Sequence, residues 1–457
     1  MNLNQIHNVY FIGIGGIGMS ALARYFQNIG KKVSGYDKTP TMLTDELKAS
    51  GMDIHFEDNI NLIPKDFYVE NTLVIITPAV PVTHSEWNYF LERDYVVKKR
   101  AEVLGIITKD TFCFAVAGTH GKTTTSSILG HILYESGADV TAFLGGIVEN
   151  YHSNLIGSGK SVTVVEADEF DRSFLHLHPD LACVTSMDAD HLDIYGSNDA
   201  FVEGFRQFTM RIDPKGFCIQ KEGLALQSLA PVFTYGINSS TAHYSFSNLR
   251  FENGFQVADL RMGTQHFEGF ELGLPGIHNA ENALGCIALL HCMGFEANSL
   301  RSALKSFKGV KRRFEYHLRT PDLVYIDDYA HHPTEINALI SSVRSMYPGW
   351  PITGIFQPHL FSRTKDFAQD FATSLSQLDA LYLLPIYPAR ELPIPGVSSD
   401  WLAEITALPN KSVLQAHEVL TALQKKQKGV ILTIGAGDID RLVGPLTDLL
   451  KMQTNHS

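Results

Sequence analysis

The stretch "VAGTHGKTTTSSILG", Val116 to Gly130, passes from an apolar run through a glycine-containing loop into an amphipathic segment. It contains the Gly-Lys-Thr of a nucleotide-binding P-loop, but Val116 stands where the usual G-x-x-x-x-G-K-[ST] pattern has its first glycine. In such a loop, glycines let backbone N–H groups wrap phosphate oxygens, while Lys122 would supply a cation and Thr123 a hydroxyl for Mg²⁺. The order of strand, loop and helix favours an ATP site over a chance surface turn.

Two apolar runs that follow the loop each end in acidic residues. They are "VVEADEFD", with Glu166, Asp168 and Glu169, and "MDADHLD", with Asp188, Asp190 and His191. A magnesium nucleotide needs oxygen ligands beyond its phosphates, and strand ends in a parallel sheet face the ligand crevice. Any one of these acids alone is typical of a solvated loop. Two acid-rich strand ends beside one P-loop favour a magnesium site.

A second glycine motif lies near the start of the chain. Gly13, Gly15 and Gly18 form G-x-G-x-x-G directly after the apolar run 9–12, and Asp37 ends the next strand-like run. Glycines at such a turn let backbone N–H groups at a helix start approach a diphosphate. The diphosphate could belong to NAD, FAD or a UDP-sugar, and tight packing without any ligand is a further alternative.

Composition limits the class of protein. A chain of 457 residues is too long to fold around a single hydrophobic core, so we expect two or three domains. The net charge of −12 argues against general binding to nucleic acid or to an anionic membrane. The five cysteines lack C-x-x-C spacing and are typical of reduced, buried cysteines. We find neither a signal peptide nor a transmembrane run, and we expect a cytoplasmic protein.

Hydrophobic patterning predicts an α/β protein with three domains. Residues 1–107 are expected to form a Rossmann-like domain, and residues 108–310 a P-loop ATPase-like parallel sheet. Short alternating runs between about Gly216 and Leu274, with a hairpin signal at "ENG", predict an antiparallel extension of that central sheet. Residues 311–457 repeat the α/β pattern and are predicted to form a second Rossmann-like domain.

Several motifs together resemble a known family. "GTHGKTTT", "EADEFD", "DADHLDIYG", "GIHNAENA" and "DDYAHHPTE" occur in the order found in the Mur ligases, ATP-dependent amino-acid ligases of peptidoglycan synthesis. The loop of that family typically lacks the earlier glycine, so Val116 fits the resemblance. Within the family, "GIGGIGMS", "GVKRRFE", "FQPHLFSRT" and "YPARELPIPG" resemble the ligases that join L-alanine to UDP-N-acetylmuramate.

The resemblance implies site residues by position. The implied ATP-binding residues are Gly118, Thr119, His120, Gly121, Lys122, Thr123, Thr124, His278, Asn279, Asn282 and Asp328. The implied metal ligands, for Mg²⁺ or for Mn²⁺ in its place, are Thr123, Glu166 and His191. The implied UDP-sugar site comprises Gly13, Gly15, Gly16, Ile17, Gly18, Asp37, Thr77, Pro78 and Ala79. Tyr329, His359 and Arg363 would contact the amino acid, and Lys122, His191, Arg313 and His331 would act in catalysis.

The implied reaction is ATP-dependent amide formation through an acyl phosphate, with UDP-N-acetylmuramate, L-alanine and ATP as substrates. The closest alternative is a recycling ligase that joins a tripeptide to the same sugar nucleotide. A nicotinamide-dependent oxidoreductase would use the first glycine motif but leave the P-loop unexplained. A non-catalytic nucleotide-binding protein would bind ATP without coupled turnover. No nucleic-acid or membrane partner is expected, and monomer and dimer both stay open.

Overall fold

The computed structural model describes residues 3–188, 195, 197–389, 391–425 and 427–455. The chain forms two compact units, one of residues 1–250, 257–273 and 279–308, and one of residues 251–256, 274–278 and 309–457. Three sheets, each with parallel strands, run through these units. The prediction of an α/β protein with three sheet regions is therefore confirmed.

The first sheet has five parallel strands in the order β3-β2-β1-β4-β5. The strands are β1 (Asn8–Ile12), β2 (Lys32–Tyr36), β3 (Asp53–His55), β4 (Thr72–Ile76) and β5 (Val96–Lys99). The helices are α1 (Ile17–Asn28), α2 (Met42–Ala49), α3 (Ser85–Glu92) and α4 (Arg100–Lys109). Strands β1 and β4 are buried along their whole length, which is why each is apolar after its first residue.

The second sheet has ten strands in the order β15-β14-β13-β12-β11-β10-β6-β9-β7-β8. They are β6 (Phe112–Ala117), β7 (Val140–Val148), β8 (Ser153–Gly157), β9 (Val162–Ala167), β10 (Leu181–Val184), β11 (Phe217–Lys221), β12 (Val232–Ile237), β13 (Tyr244–Glu252), β14 (Phe255–Met262) and β15 (Gln265–Leu272). The helices of this region are α5 (Lys122–Glu135), α6 (Asn198–Thr209), α7 (Ile277–Cys292) and α8 (Arg301–Ser306).

The antiparallel extension begins later than predicted. Strands β11 and β12 pair in parallel with their neighbours, so the parallel sheet continues through residue 237 and into the start of β13. The short alternating runs of the sequence misled the prediction, because outer strands of a parallel sheet can also be partly exposed, as the two ends of β11 and most of β12 are. The hairpin at "ENG" is confirmed: Asn253 and Gly254 both have positive φ, which suits a two-residue turn between β13 and β14.

The third sheet has six strands in the order β16-β17-β21-β18-β19-β20. They are β16 (Glu315–Arg319), β17 (Leu323–Asp328), β18 (Ile352–Phe356), β19 (Ala380–Leu383), β20 (Lys411–Val413) and β21 (Gly429–Ile434). The helices are α9 (Pro333–Met346), α10 (Phe361–Asp366), α11 (Ala368–Leu375), α12 (Ser399–Ile405), α13 (Ala416–Ala422) and α14 (Asp440–Asn455). Along β17, Val324 and Ile326 enter one core cluster while Leu323 and Tyr325 enter another, so both faces of the sheet are covered.

No helix among the described residues is both long and apolar enough to cross a bilayer. All five cysteines are free, and four of them are buried. Burial raises the pKa of the Cys113 and Cys183 thiols above the ordinary value, which leaves them unreactive.

Candidate active site

The loop from Gly118 to Gly121 joins the carboxyl end of β6 to the start of α5. Gly118 and Gly121 have φ of +136° and +83°, backbone angles that residues other than glycine rarely adopt. A Cβ at Gly118 would overlap the Thr185 hydroxyl, and Ser186 Oγ accepts the N–H of His120 at 2.8 Å. The loop is therefore held against the end of β10, with its backbone shaped for phosphate.

Lys122 lies inside this loop, where its ammonium group faces a carboxylate. Its Nζ donates to Glu169 Oε2 at 2.7 Å, to Glu169 Oε1 at 2.9 Å and to the Gly118 carbonyl at 2.6 Å. The Glu169 side chain is only 1% exposed. Burial lowers the pKa of Lys122, but Glu169 and the neighbouring Asp168 raise it above the ordinary value. Lys122 is therefore a fixed cation at the place where phosphates would arrive.

The structure brings together two of the three predicted metal ligands. Thr123 Oγ1 donates to Glu166 Oε2 at 3.2 Å, and the opposite carboxylate oxygen accepts the Gly145 N–H at 2.6 Å. Burial raises the pKa of Glu166, so a bound cation would favour its ionised form. A hydroxyl and a carboxylate are ligands that magnesium prefers, and the donor set fits such an ion.

The third predicted metal ligand, His191, lies outside the described residues, as does Asp190. The neighbouring Asp188 is described: its carbonyl accepts the Thr119 hydroxyl at 2.7 Å, and its carboxylate lies 3.5 Å from His120 Nε2. The second acidic strand end therefore meets the P-loop, as predicted for neighbouring strands of one parallel sheet.

The predicted "HNAEN" segment opens α7. A Cβ added at Gly121 would lie 2.6 Å from Asn282 Oδ1, so this amide contacts the P-loop. Asn279 and Asn282 are both buried, and Thr124 is buried in the first turn of α5. His278 belongs to the second unit, where burial lowers the pKa of its imidazole to about 4.

The first glycine motif forms a second loop at the carboxyl ends of β1, β2 and β4. Gly15 N–H donates to Asp37 Oδ2 at 2.7 Å, and a Cβ at Gly13 would lie 2.7 Å from Thr77 Cγ2. Of the five remaining predicted residues, Gly18 is half-buried, and the other four are exposed, namely Gly16, Ile17, Pro78 and Ala79. The loop thus presents exposed backbone at the start of α1, an arrangement that suits a diphosphate.

In the second unit, the predicted catalytic residues Arg313 and His331 share one acid. Arg313 Nη1 lies 3.8 Å from Glu335 Oε1, and Glu335 Oε2 accepts the His331 N–H at 2.9 Å. Tyr329 lies between them, with the Arg313 guanidinium 5.0 Å from its ring centre. The Asp328 carboxylate accepts the backbone N–H groups of Phe314 and Ala330, and burial raises its pKa to about 6.

The same cluster extends to the loop after β18. The rings of His331 and His359 are 6.1 Å apart, and His359 stacks on Tyr387 at 5.7 Å. Burial, together with the nearby Arg363 guanidinium, lowers the pKa of His331 to about 4 in spite of the opposing charge of Glu335, so this imidazole is neutral at physiological pH. Arg363 is itself buried. The roles assigned to these residues stay predictions.

Sequence reasoning missed several residues that hold the loops. Glu169 was noted only as one acid of a group, and no sequence signal could show that it faces Lys122. Thr185 and Ser186 follow an apolar strand, a position that could have indicated them. Arg100 contacts Gly18 across the first unit, a relation that only the fold reveals.

Three family models match the chain in succession. They are described as the Mur ligase family catalytic domain over residues 8–111, the Mur ligase middle domain over 116–290, and the Mur ligase glutamate ligase domain over 312–437. Together they include both glycine loops and the Arg313–Arg363 cluster.

Curated relatives and solved structures agree with these models. The chain is 64% identical to the UDP-N-acetylmuramate--L-alanine ligase of Flavobacterium psychrophilum, over 97% of this chain and 98% of that protein. It is 60% identical to the ligase of the same name from Flavobacterium johnsoniae, over 99% of each. The structure of UDP-N-acetylmuramate-alanine ligase from Thermotoga maritima superposes with a TM-score of 0.82 and 27% identity, over 98% of this chain and 99% of that one. The chain belongs to the Mur ligase family.

Proposed function

We propose that this protein joins L-alanine to the carboxylate of UDP-N-acetylmuramate, converting ATP to ADP and phosphate. The observation that carries the proposal is the assembly of Lys122, Thr123 and Glu166 at one sheet edge. It occurs in a chain that is 64% identical over nearly its whole length to a protein named for this ligation. The product is an early peptidoglycan precursor.

The chemistry explains why ATP is needed. A carboxylate is a poor electrophile, so an oxygen of the substrate carboxylate first attacks the γ-phosphorus and ADP leaves. The amine of L-alanine then attacks the acyl carbon, and phosphate departs with the oxygen that came from the carboxylate. Lys122 supplies positive charge where charge develops on the transferring phosphoryl group.

Magnesium would be held by Thr123, Glu166 and His191. A bound Mg²⁺ ion, or Mn²⁺ in its place, would supply Lewis-acid stabilisation of phosphate charge. Lys122 and the backbone N–H groups between Gly118 and Gly121 would orient the same phosphates. Glu169 keeps Lys122 charged and in position.

We propose the remaining assignments on the same basis. Residues 1–107 would bind the sugar nucleotide, residues 108–310 would bind ATP, and residues 311–457 would supply the L-alanine site. Arg363 would hold the amino-acid carboxylate, since a guanidinium matches the shape of that group. The reaction would take place in the cytoplasm, where ATP is available.

The experiment measures phosphate release and amide product with UDP-N-acetylmuramate and a panel of amines. L-Alanine, glycine, L-serine and the tripeptide are supplied in turn, with a no-amine control. We expect fastest release with L-alanine, together with a product whose mass equals both substrates less one water. Release that ignores the amine would contradict a ligase, and a preference for the tripeptide would favour the recycling alternative.

A further inference from the structure

Arg100 occupies the space that the third glycine of the first motif leaves open. It is the first residue of α4, and its side chain lies directly on Gly18 in the first turn of α1. A Cβ added at Gly18 would lie 2.5 Å from Arg100 Nη1 and 3.1 Å from Cζ. A side chain at position 18 would therefore displace the guanidinium from the start of this helix.

The guanidinium is held by one long contact. Arg100 Nη2 lies 3.3 Å from Asp168 Oδ2, and the two side chains are 26% and 35% exposed. Among the described residues, Asp168 is the one side chain to which this guanidinium donates. A guanidinium carries several N–H donors in a planar fork, so Arg100 retains the capacity to bind an anion with two hydrogen bonds.

The surroundings indicate where that anion would lie. Backbone N–H groups at the start of α1 carry partial positive charge, and the loop at Gly16 and Ile17 is exposed. Arg100, which belongs to α4, adds a full positive charge beside the first turn of α1. The G-x-G-x-x-G loop and the guanidinium therefore both lie at the start of α1, which suits a group with two negative charges.

We propose that Arg100 binds the diphosphate of the UDP-sugar substrate and that Asp168 positions the guanidinium for it. The inference rests on the proposed function, which supplies the sugar nucleotide. Asp168 follows β9, two residues after Glu166, so the same arginine adjoins both the sugar-nucleotide loop and the acidic strand end of the P-loop region. Arg100 is thus a substrate-binding residue, and Asp168 is a positioning residue.

The alternative is an ion pair that only holds two parts of the first unit together. The neighbouring Lys99 offers a matched comparison, because its Nζ lies 3.3 Å from Asp171 Oδ2 in a second pair of the same kind. Among the described residues, Lys99 makes no hydrogen bond to the glycine loop, and its side chain does not lie against any glycine of that loop. If the pair were purely structural, R100A and D168N would each break the same ion pair and would change UDP binding to the same extent.

The experiment titrates UDP into the full-length protein by calorimetry, without ATP or magnesium. The variants are R100A, R100K, D168N and K99A, each checked for folding by its melting temperature. We expect R100A to weaken UDP binding by about 10- to 100-fold, the range for losing a hydrogen bond to a charged group. The affinity of R100K for UDP should lie between those of R100A and the wild type, since lysine keeps the positive charge but lacks the planar fork of donors. D168N should weaken UDP binding less than R100A does, because the guanidinium loses its positioning carboxylate but keeps its charge and its donors. K99A should bind UDP as tightly as the wild type.

The outcomes separate this inference from the proposed function. Wild-type affinity for UDP in folded R100A would overturn the role of Arg100, as would equal weakening in R100A and D168N. Normal binding of UDP with weakened binding of UDP-N-acetylmuramate in R100A would assign Arg100 to the sugar's carboxylate instead. A wild-type protein that binds no UDP would overturn the sugar-nucleotide assignment itself.

Discussion

At Lys122 the chain places a buried ammonium against a carboxylate that is 1% exposed. Each group alone would be costly to bury, and together they keep the lysine charged without phosphate present. In the proposed ATP site, the cation and the two glycines with positive φ would contact the phosphates. Val116 instead continues the buried strand β6, so a glycine at that position is not needed for the loop to form.

Replacing Lys122 by alanine should lower the rate of amide formation by about 10²- to 10³-fold, the scale of losing one main electrostatic stabiliser. The measurement is steady-state kcat with saturating substrates, accompanied by a thermal melt, because Glu169 loses its partner. Lys215→Ala removes an exposed lysine of the same region and should leave kcat unchanged. Near-normal turnover in the Lys122 variant would refute its catalytic role.

Gly118→Ala should weaken ATP binding by about 5- to 100-fold, because the loop must shift to relieve strain of a few kcal/mol at most. The matched control is Gly137→Ala: φ there is +77°, but no described atom lies within 4 Å of the added Cβ. That control should lose some stability and keep its affinity for ATP. Equal ATP affinity in both variants would show that the contact with Thr185 does not shape the loop.

At the scale of elements, sequence patterns predicted local features well and long-range ones poorly. The P-loop and the Asn253-Gly254 turn were predictable because neighbouring residues determine strand–loop–helix order and turn type. Strand direction was not, because β11 and β12 are short runs that pair in parallel, whereas the sequence predicted an antiparallel extension there. The antiparallel pairing of β7 with β8 was missed, because strand pairing depends on residues far apart in the sequence. Partners such as Arg100 and Gly18 meet only after the elements pack.

The packing of α3 on β1 creates a pH-sensitive element in the first unit. Glu86, on α3, is fully buried: Tyr10 Oη donates to its carboxylate at 2.7 Å and the Asn59 N–H at 3.0 Å. Burial raises the pKa of this carboxyl to about 7, from 4.5 for an ordinary glutamate. Folded Glu86 therefore holds its proton over a range where the unfolded chain has lost it.

Because the folded state binds the extra proton, Glu86 should favour folding below about pH 4.5, and this contribution should be lost as pH rises to about 7. Glu86→Gln removes the titration, so its stability relative to the wild type should rise by up to about 1.4 kcal/mol per pH unit in that window. Urea unfolding across the pH range measures the difference. Glu92→Gln, an exposed change on the same helix, is the control. Parallel wild-type and Glu86→Gln curves would contradict the assignment.

At the scale of the whole molecule, three α/β segments carry three kinds of loop at the carboxyl ends of their strands. The glycine loop near Gly15, the P-loop at Lys122 and the cluster at His331 correspond to the sugar nucleotide, ATP and the amino acid in the proposed reaction. Sequence motifs located all three, because each is a short run after one strand. The partners that hold the charged groups of these loops could be identified only from the folded structure.

In the proposed reaction, ATP activates the substrate carboxylate as an acyl phosphate. The direct measurement uses UDP-N-acetylmuramate with oxygen-18 in its carboxylate, together with ATP, magnesium and L-alanine, and follows the released phosphate by mass spectrometry. The mechanism transfers one carboxylate oxygen to phosphate, so each phosphate released from doubly labelled substrate should carry one oxygen-18. Unlabelled phosphate, with both labelled oxygens retained in the sugar nucleotide, would contradict it.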